Sequence, residues 1–128
     1  AALLDARMDE MYVALYAHGP QGLTAEPLAP PRLCAPADLG PWLQQHLPAG
    51  RSLAAGNCLL AGNVFEVYGA AISDLPGERQ HALPTAAALL RLAPALLAAG
   101  AAVAAQDALP LYVRDKVAQT TAEREGKR

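Results

Sequence analysis

Histidines, thiols, hydroxyls and carboxylates are the groups able to bind metal, attack a substrate or move a proton, and in this chain they stand apart from one another. His18, His46 and His81 are widely spaced, with no His-Glu-x-x-His helix to set two imidazoles one turn apart on a zinc ion. Each reads as a surface or capping histidine. Cys34 and Cys58 form neither a Cys-x-x-Cys knuckle nor a disulfide framework, and read as reduced, buried or half-buried thiols of a cytosolic protein. Ser52 and Ser73 lack the Gly-x-Ser-x-Gly setting of a strained nucleophile, and Asp74 after Ser73 marks a turn. Asp9 and Glu10 also fall in a turn, where solvated carboxylates are expected. What remains is two Gly-Asn steps, Gly56-Asn57 and Gly62-Asn63. A phosphate cradle needs successive backbone amides, usually with a lysine or a helix N-terminus behind them. Gly62 and Asn63 lie between a strand-like run and a helix-like run, so they are the candidate nucleotide-loop residues. The competing reading gives Gly62 only a tight strand-to-helix turn to make. No catalytic set and no metal-ligand set is visible, and no cofactor is implied.

The elements that must position these residues follow from periodicity. Leu3 to Arg7 is a short apolar stretch, and Met8-Asp9-Glu10 is a polar turn. In Met11 to Ala17 the residues Met11, Val13, Leu15 and Ala17 share one face, against Tyr12, Ala14 and Tyr16 on the other. That period of two predicts a β-hairpin, ended by His18-Gly19-Pro20. Four prolines between Pro27 and Pro36 leave room for one edge strand near Arg32 to Cys34. Ala37 to Leu47 reads as a helix, with Asp38 as cap, Pro41 in the first turn and Leu39, Trp42, Leu43 and Leu47 as the buried stripe. Cys58 to Ala61 fits a buried strand, followed by a short helix carrying Phe65 and Tyr68. The strongest helical pattern runs from Thr85 to Ala99, where Leu89, Leu92, Ala93, Leu96 and Leu97 recur at spacings of three and four. This helix is expected to cover one face of the sheet, with Pro94 kinking or splitting it and Gly100 capping it. Leu109 to Arg114 reads as extended. The order of elements predicts an α/β or α+β domain.

Composition agrees. The chain has 128 residues, 53% hydrophobic but only 5% aromatic, a balance that excludes disorder and disfavours an all-β sandwich. Its net charge of −2 argues against a nucleic-acid arm, and Arg124, Lys127 and Arg128 read as part of a polar tail. The longest uncharged stretch, Leu92 to Gln106, is broken by Pro94 and Gly100 and falls short of the ~20 apolar residues a membrane span needs. The chain opens without Met, directly on a strand-like run, which reads as a fragment or an engineered piece.

Four segments together resemble one known family. Asp5-Ala6-Arg7-Met8-Asp9-Glu10-Met11-Tyr12 resembles the Asp-Ala-Arg-x-x-Glu-Val-Tyr hairpin of the TsaB family, also called YeaZ, with Met11 in place of the commoner Val. Leu60-Ala61-Gly62-Asn63-Val64-Phe65, with Tyr68-Gly69 after it, is similar to that family's Gly-Asn strand-to-helix turn. Leu83-Pro84-Thr85-Ala86-Ala87, running toward Gly100, resembles its long helix. Ala108 to Ala118 resembles its closing Pro-x-Tyr-x-Arg-x-x-Val-Ala segment.

The resemblance implies a ribonuclease H-like lobe of the actin-like ATPase superfamily, an α/β fold with a mixed sheet and helices packed on it. Residues 1–118 would form the second, carboxy-terminal lobe and residues 119–128 a flexible polar tail. It implies a cytoplasmic, non-catalytic scaffold subunit that works with a TsaD-like catalytic paralogue and a TsaE-like ATPase to make threonylcarbamoyladenosine beside the anticodon of tRNA. Contact with tRNA would be indirect, no membrane would be involved, and a homodimer is compatible. The alternative is a glycoprotease-like metallopeptidase or a nucleotide-hydrolysing lobe.

Overall fold

The computed structural model describes residues 1–20, 22–24, 26–53 and 57–114. The hairpin is formed by β1 (Ala2–Arg7) and β2 (Glu10–Leu15), paired antiparallel with Leu3 opposite Val13. Met11, Val13 and Leu15 point into the core and are almost wholly buried, as the alternation requires. A two-residue ribbon follows, β3 (His18–Gly19) on β4 (Gly22–Leu23). β5 (Ala29–Cys34) then adds antiparallel to the free side of β2. It carries Pro30 and Pro31, which an edge strand tolerates because only one side of its ladder is paired.

On the other side of β1 the pairing turns parallel. β6 (Leu59–Gly62) lies beside β1, and β7 (Glu78–His81) beside β6, giving the order β5-β2-β1-β6-β7. Parallel neighbours need crossover connections, and two helices serve: α1 (Leu39–His46) on the way from β5 to β6, and α2 (Phe65–Tyr68) between β6 and β7. Their apolar sides close the core over Leu3, Met11 and Leu60. α1 supplies Leu39, Trp42 and Leu43, and Val64, Tyr68 and Ile72 come from α2 and its flanks. The expected α/β fold with a mixed sheet is therefore present, and α1 buries three of the four stripe residues predicted, with Leu47 half-buried.

Three local expectations are revised. Asp38 stands at the start of α1, but its side chain makes no capping hydrogen bond, because a 3₁₀ turn at Pro36–Asp38 already feeds the helix. β7 was not anticipated, since Glu78-Arg79-Gln80-His81 has no apolar residue to alternate. Its guide is instead the Arg79 guanidinium, which donates to the carbonyls of Ile72, Ser73 and Leu75 and ties the strand to the turns after α2.

The third revision is the largest. α3 (Ala86–Ala98) forms where predicted, unbroken through Pro94. Thr85 caps it, its Oγ1 accepting the Ala88 N–H at 3.1 Å. At the other end Gly100 (φ +76°) donates to Leu97 and Ala101 donates to Leu96, the paired bonds of a Schellman stop. Yet α3 buries none of its residues and does not cover the sheet. A 3.6-residue period reveals that a helix has an apolar face without revealing what lies against that face. The expected polar tail at 119–128, and residues 115–118 of the closing segment, lie outside the described residues. Among the described residues no helix is long and apolar enough to cross a membrane.

Candidate functional site

The tip of the β1–β2 hairpin is conformationally costly. Arg7, Met8 and Asp9 follow one another at φ values of 62°, 57° and 58°, a left-handed run that L-residues adopt at about 1–2 kcal/mol each. Such a run persists only where the surroundings hold it. Here residues from three distant parts of the chain do so.

Asp5 is the hub. It leaves β1 on the core side, and its side chain is only 8% exposed. Its Oδ1 accepts the Arg7 N–H at 2.8 Å and the Tyr68 hydroxyl at 3.1 Å. The Tyr68 hydroxyl also lies 3.3 Å from the Glu10 carbonyl, so α2 grips both strands of the hairpin. Burial first, then the hydrogen bond to Asp5 and the charges of Asp5 and Asp9, push the Tyr68 phenol above its ordinary pKa. The phenol therefore stays protonated, as its donor role requires. The Asp5 Oδ2 pairs with the Arg7 guanidinium at 3.3 Å, but Arg7 is 86% exposed and this pair adds little.

The Gly62-Asn63 turn enters from β6. The Asn63 Oδ1 accepts the Asp5 N–H at 2.9 Å, satisfying a strand-end donor that would otherwise lack a partner. A Cβ at Gly62 would run into the Leu3 carbonyl, so glycine is what lets β6 approach β1 closely enough to pair. The structure thus gives both candidate nucleotide-loop residues a place in the hairpin clasp. The helix behind them, α2, has only four residues.

The last contributor is Arg114, at the end of the closing segment. Its Nη1 lies 2.8 Å from the Glu10 carboxylate, and its Nη2 donates to the carbonyls of Ala6 at 3.1 Å and Arg7 at 3.4 Å. The guanidinium also lies against the Met8 sulfur, at 3.5 Å. With a side chain 12% exposed, Arg114 is the least solvated cation of the clasp.

The clasp therefore joins Asp5, Glu10, Asn63, Tyr68 and Arg114, polar residues drawn from the hairpin, the Gly-Asn turn and the closing segment that the sequence singles out as familiar. Sequence reasoning named these segments but gave Tyr68 and Arg114 no role. The available signal was the rarity of polar residues inside otherwise Ala- and Leu-rich segments. The histidines do not join the site. His46 Nδ1 lies 2.8 Å from the Trp42 carbonyl one turn back in α1, while His18 and His81 are exposed on separate strands. Both cysteines are free and buried, and burial pushes the Cys34 thiol upward. Among the described residues no three His, Cys, Asp or Glu side chains come together as metal ligands.

Comparison with known proteins gives the arrangement a context. No family profile and no curated protein matches the chain by sequence. Among solved structures, a Pseudomonas aeruginosa protein described as uncharacterized with similarity to peptidase YeaZ superposes with a TM-score of 0.67 at 29% identity, over 89% of this chain. YeaZ from Pseudomonas aeruginosa superposes with a TM-score of 0.64 at 28% identity, over 88% of this chain. In both cases the chain spans 48% of the solved molecule's length, about half. In fold and sheet topology the chain is thus similar to about half of the YeaZ (TsaB) structures, with the ribonuclease H-like fold of the actin-like ATPases.

Proposed function

We propose that the chain is a scaffold lobe of a TsaB-like subunit in the machinery that makes threonylcarbamoyladenosine on tRNA, acting with a TsaD-like catalytic paralogue and a TsaE-like ATPase in the cytoplasm. The observation that carries this reading is the clasp. Its polar groups bond one another and the hairpin backbone, with Asp5, Tyr68 and Arg114 turned inward, which suits a rigid presenting surface better than a reaction centre. A catalytic carboxylate or phenol must reach a substrate proton, and these are already engaged. Contact with tRNA is left to the partners, in keeping with a net charge of −2. Nucleotide binding at Gly62 and Asn63 is weak or absent in this reading, because the Asn63 backbone N–H that a phosphate would need already donates to the Leu3 carbonyl.

The peptidase label belongs to a relative. The described residues of this chain offer no cluster of metal-binding side chains to support metal-assisted peptide hydrolysis.

The test is reconstitution. TsaD, TsaE, tRNA and threonylcarbamoyl adenylate are combined with this chain, or with a two-lobed chain in which it replaces the matching half of Pseudomonas YeaZ. The two-lobed chain is expected to support transfer and the 128-residue chain alone to fail. Transfer by the lone chain would put the partner surface within these residues. Failure of a folded two-lobed chain would remove the functional reading.

A further inference from the structure

We infer that Met8 is a modification site: a peroxide converts its thioether to the sulfoxide, and the new oxygen takes a hydrogen bond from Arg114 that tightens the clasp. The inference stands on the hairpin tip alone and on no part of the functional reading. The chain's two methionines, Met8 and Met11, lie in the same hairpin. Met11 is wholly buried in β2, whereas Met8 stands at the tip and is 61% exposed. Oxidation follows access to the sulfur, so the first is spared and the second is open to attack. Met8 is also the central residue of the left-handed run, so its side chain starts from backbone that the clasp holds in place.

What sets Met8 apart from any exposed methionine is its neighbour. Its Sδ accepts from the Arg114 Nη1 at 3.5 Å, and the same nitrogen donates to the Glu10 carboxylate at 2.8 Å. Nη2 serves the carbonyls of Ala6 and Arg7. Each terminal N–H of the guanidinium thus has an acceptor, and the thioether is the weakest of them. A thioether sulfur carries two lone pairs. One faces Arg114, and the exposure of the residue leaves the other to the oxidant. In the reaction that lone pair attacks a peroxide oxygen: an S–O bond forms and the O–O bond breaks. The sulfur gives up two electrons, and the distal oxygen leaves with the proton of the transferred hydroxyl, as water. Rotation about the side chain's single bonds then carries the sulfoxide oxygen to Nη1, where it is a far stronger acceptor than sulfur. Because Met8 stays mostly in water, the added polar atom meets no desolvation cost, unlike a methionine oxidised inside a core. A dithiol-dependent reductase reverses the step: the dithiol closes to a disulfide, the sulfur regains two electrons, and the oxygen leaves as water. Cys34 and Cys58 are poor competitors for the oxidant, since both are buried and burial pushes the Cys34 thiol upward.

Dilute hydrogen peroxide on the folded 128-residue chain tests this, with tandem mass spectrometry to locate the added oxygen and urea unfolding to read its effect. Met8 is expected to be oxidised about tenfold faster or more than Met11, which the oxidant reaches only through opening of the hairpin. The Met8 sulfoxide should lower the unfolding constant by about threefold or more relative to the reduced chain, the direction of a hydrogen bond gained by a charged donor. Met8→Gln, which carries a fixed amide oxygen at similar reach, should shift the constant in the same direction without peroxide. In Met8→Leu peroxide should change nothing, which sets the cysteines aside. In Arg114→Ala oxidation of Met8 should no longer lower the constant. Should Arg114→Ala not fold, solvent exchange of the Arg114 guanidinium protons is followed by NMR in the wild type, where oxidation should slow it. Equal oxidation of both methionines in the folded chain would overturn the proposal. So would an unfolding constant that is unchanged or raised by oxidation, one that falls equally without Arg114, or guanidinium exchange that oxidation leaves unaltered.

Discussion

The hairpin end of the sheet and the α3 arm are opposites in how they use their residues. At the hairpin tip, from Asp5 to Glu10, polar residues outnumber apolar ones, and an unfavourable backbone run is held by hydrogen bonds arriving from α2, the Gly62-Asn63 turn and Arg114. Along the arm, apolar side chains dominate and contribute nothing to the core. The usual arrangement is the reverse, with leucines hidden and carboxylates left to water. The difference teaches that the stability of the sheet and its core draws on the clasp and not on the leucines of α3. One segment shapes a rigid end of the sheet, and the other leaves its leucines exposed.

Substitutions at Gly62 should disturb this division most. Gly62→Val places side-chain atoms against the Leu3 carbonyl, so β1 and β6 must part, and a loss of about 3 kcal/mol or more is expected in urea unfolding. A loss under about 1 kcal/mol would mean that β6 approaches β1 less closely than the structure shows.

Arg114→Ala comes next. It leaves Glu10 and two backbone carbonyls without their cation, and about 1–2 kcal/mol of stability should go with it. Amide exchange at Met8 to Glu10 should accelerate more than exchange at Val13. Equal acceleration throughout would make Arg114 a general stabiliser and not a clamp on the tip.

Tyr68→Phe removes one hydroxyl from the hub and should cost about 1 kcal/mol near neutral pH. Its pH dependence has a definite sign. The folded-state pKa is raised, so the stabilisation is fully present below the ordinary phenol value of 10.0 and is lost as pH rises through the folded value. Denaturation midpoints of the wild type and Tyr68→Phe should therefore differ at neutral pH and converge in strong alkali. A constant gap would show that the hydroxyl is not the group responsible.

The smallest effect belongs to the arm. Leu89→Ser and Leu97→Ser should each change the stability of the lone chain by less than about 0.5 kcal/mol, since neither side chain leaves a cavity. A buried leucine such as Leu43, changed to alanine, should cost about 2–5 kcal/mol.

Much of the fold can be read from residue order because its signals are local. The two-residue period of Met11 to Leu15, the prolines of β5 and the stripe of α1 each act over a few positions. β7 could not be read that way, since all four of its residues are exposed and what places it is pairing with β6 and the reach of Arg79 to carbonyls of another turn. The candidate site divides along the same line. Gly62-Asn63 was visible as a turn, but Asn63 meets Asp5 and Tyr68 meets Glu10 across 58 positions, and Arg114 meets Ala6 across 108. No spacing rule spans such distances. For α3 the period and the stop at Gly100 were legible, whereas the Thr85 cap and the lack of a neighbour were not.

Native-state hydrogen exchange on the 128-residue chain tests the central claim, that the clasped end and the arm are energetically separate. The account predicts that amides of β1, β2 and β6, with Glu10 at the hairpin, open only with global unfolding, while those in the middle of α3 exchange by local fraying, about a hundredfold faster or more. Protection in α3 equal to that of Leu60 in β6, in a monomeric sample, would contradict it.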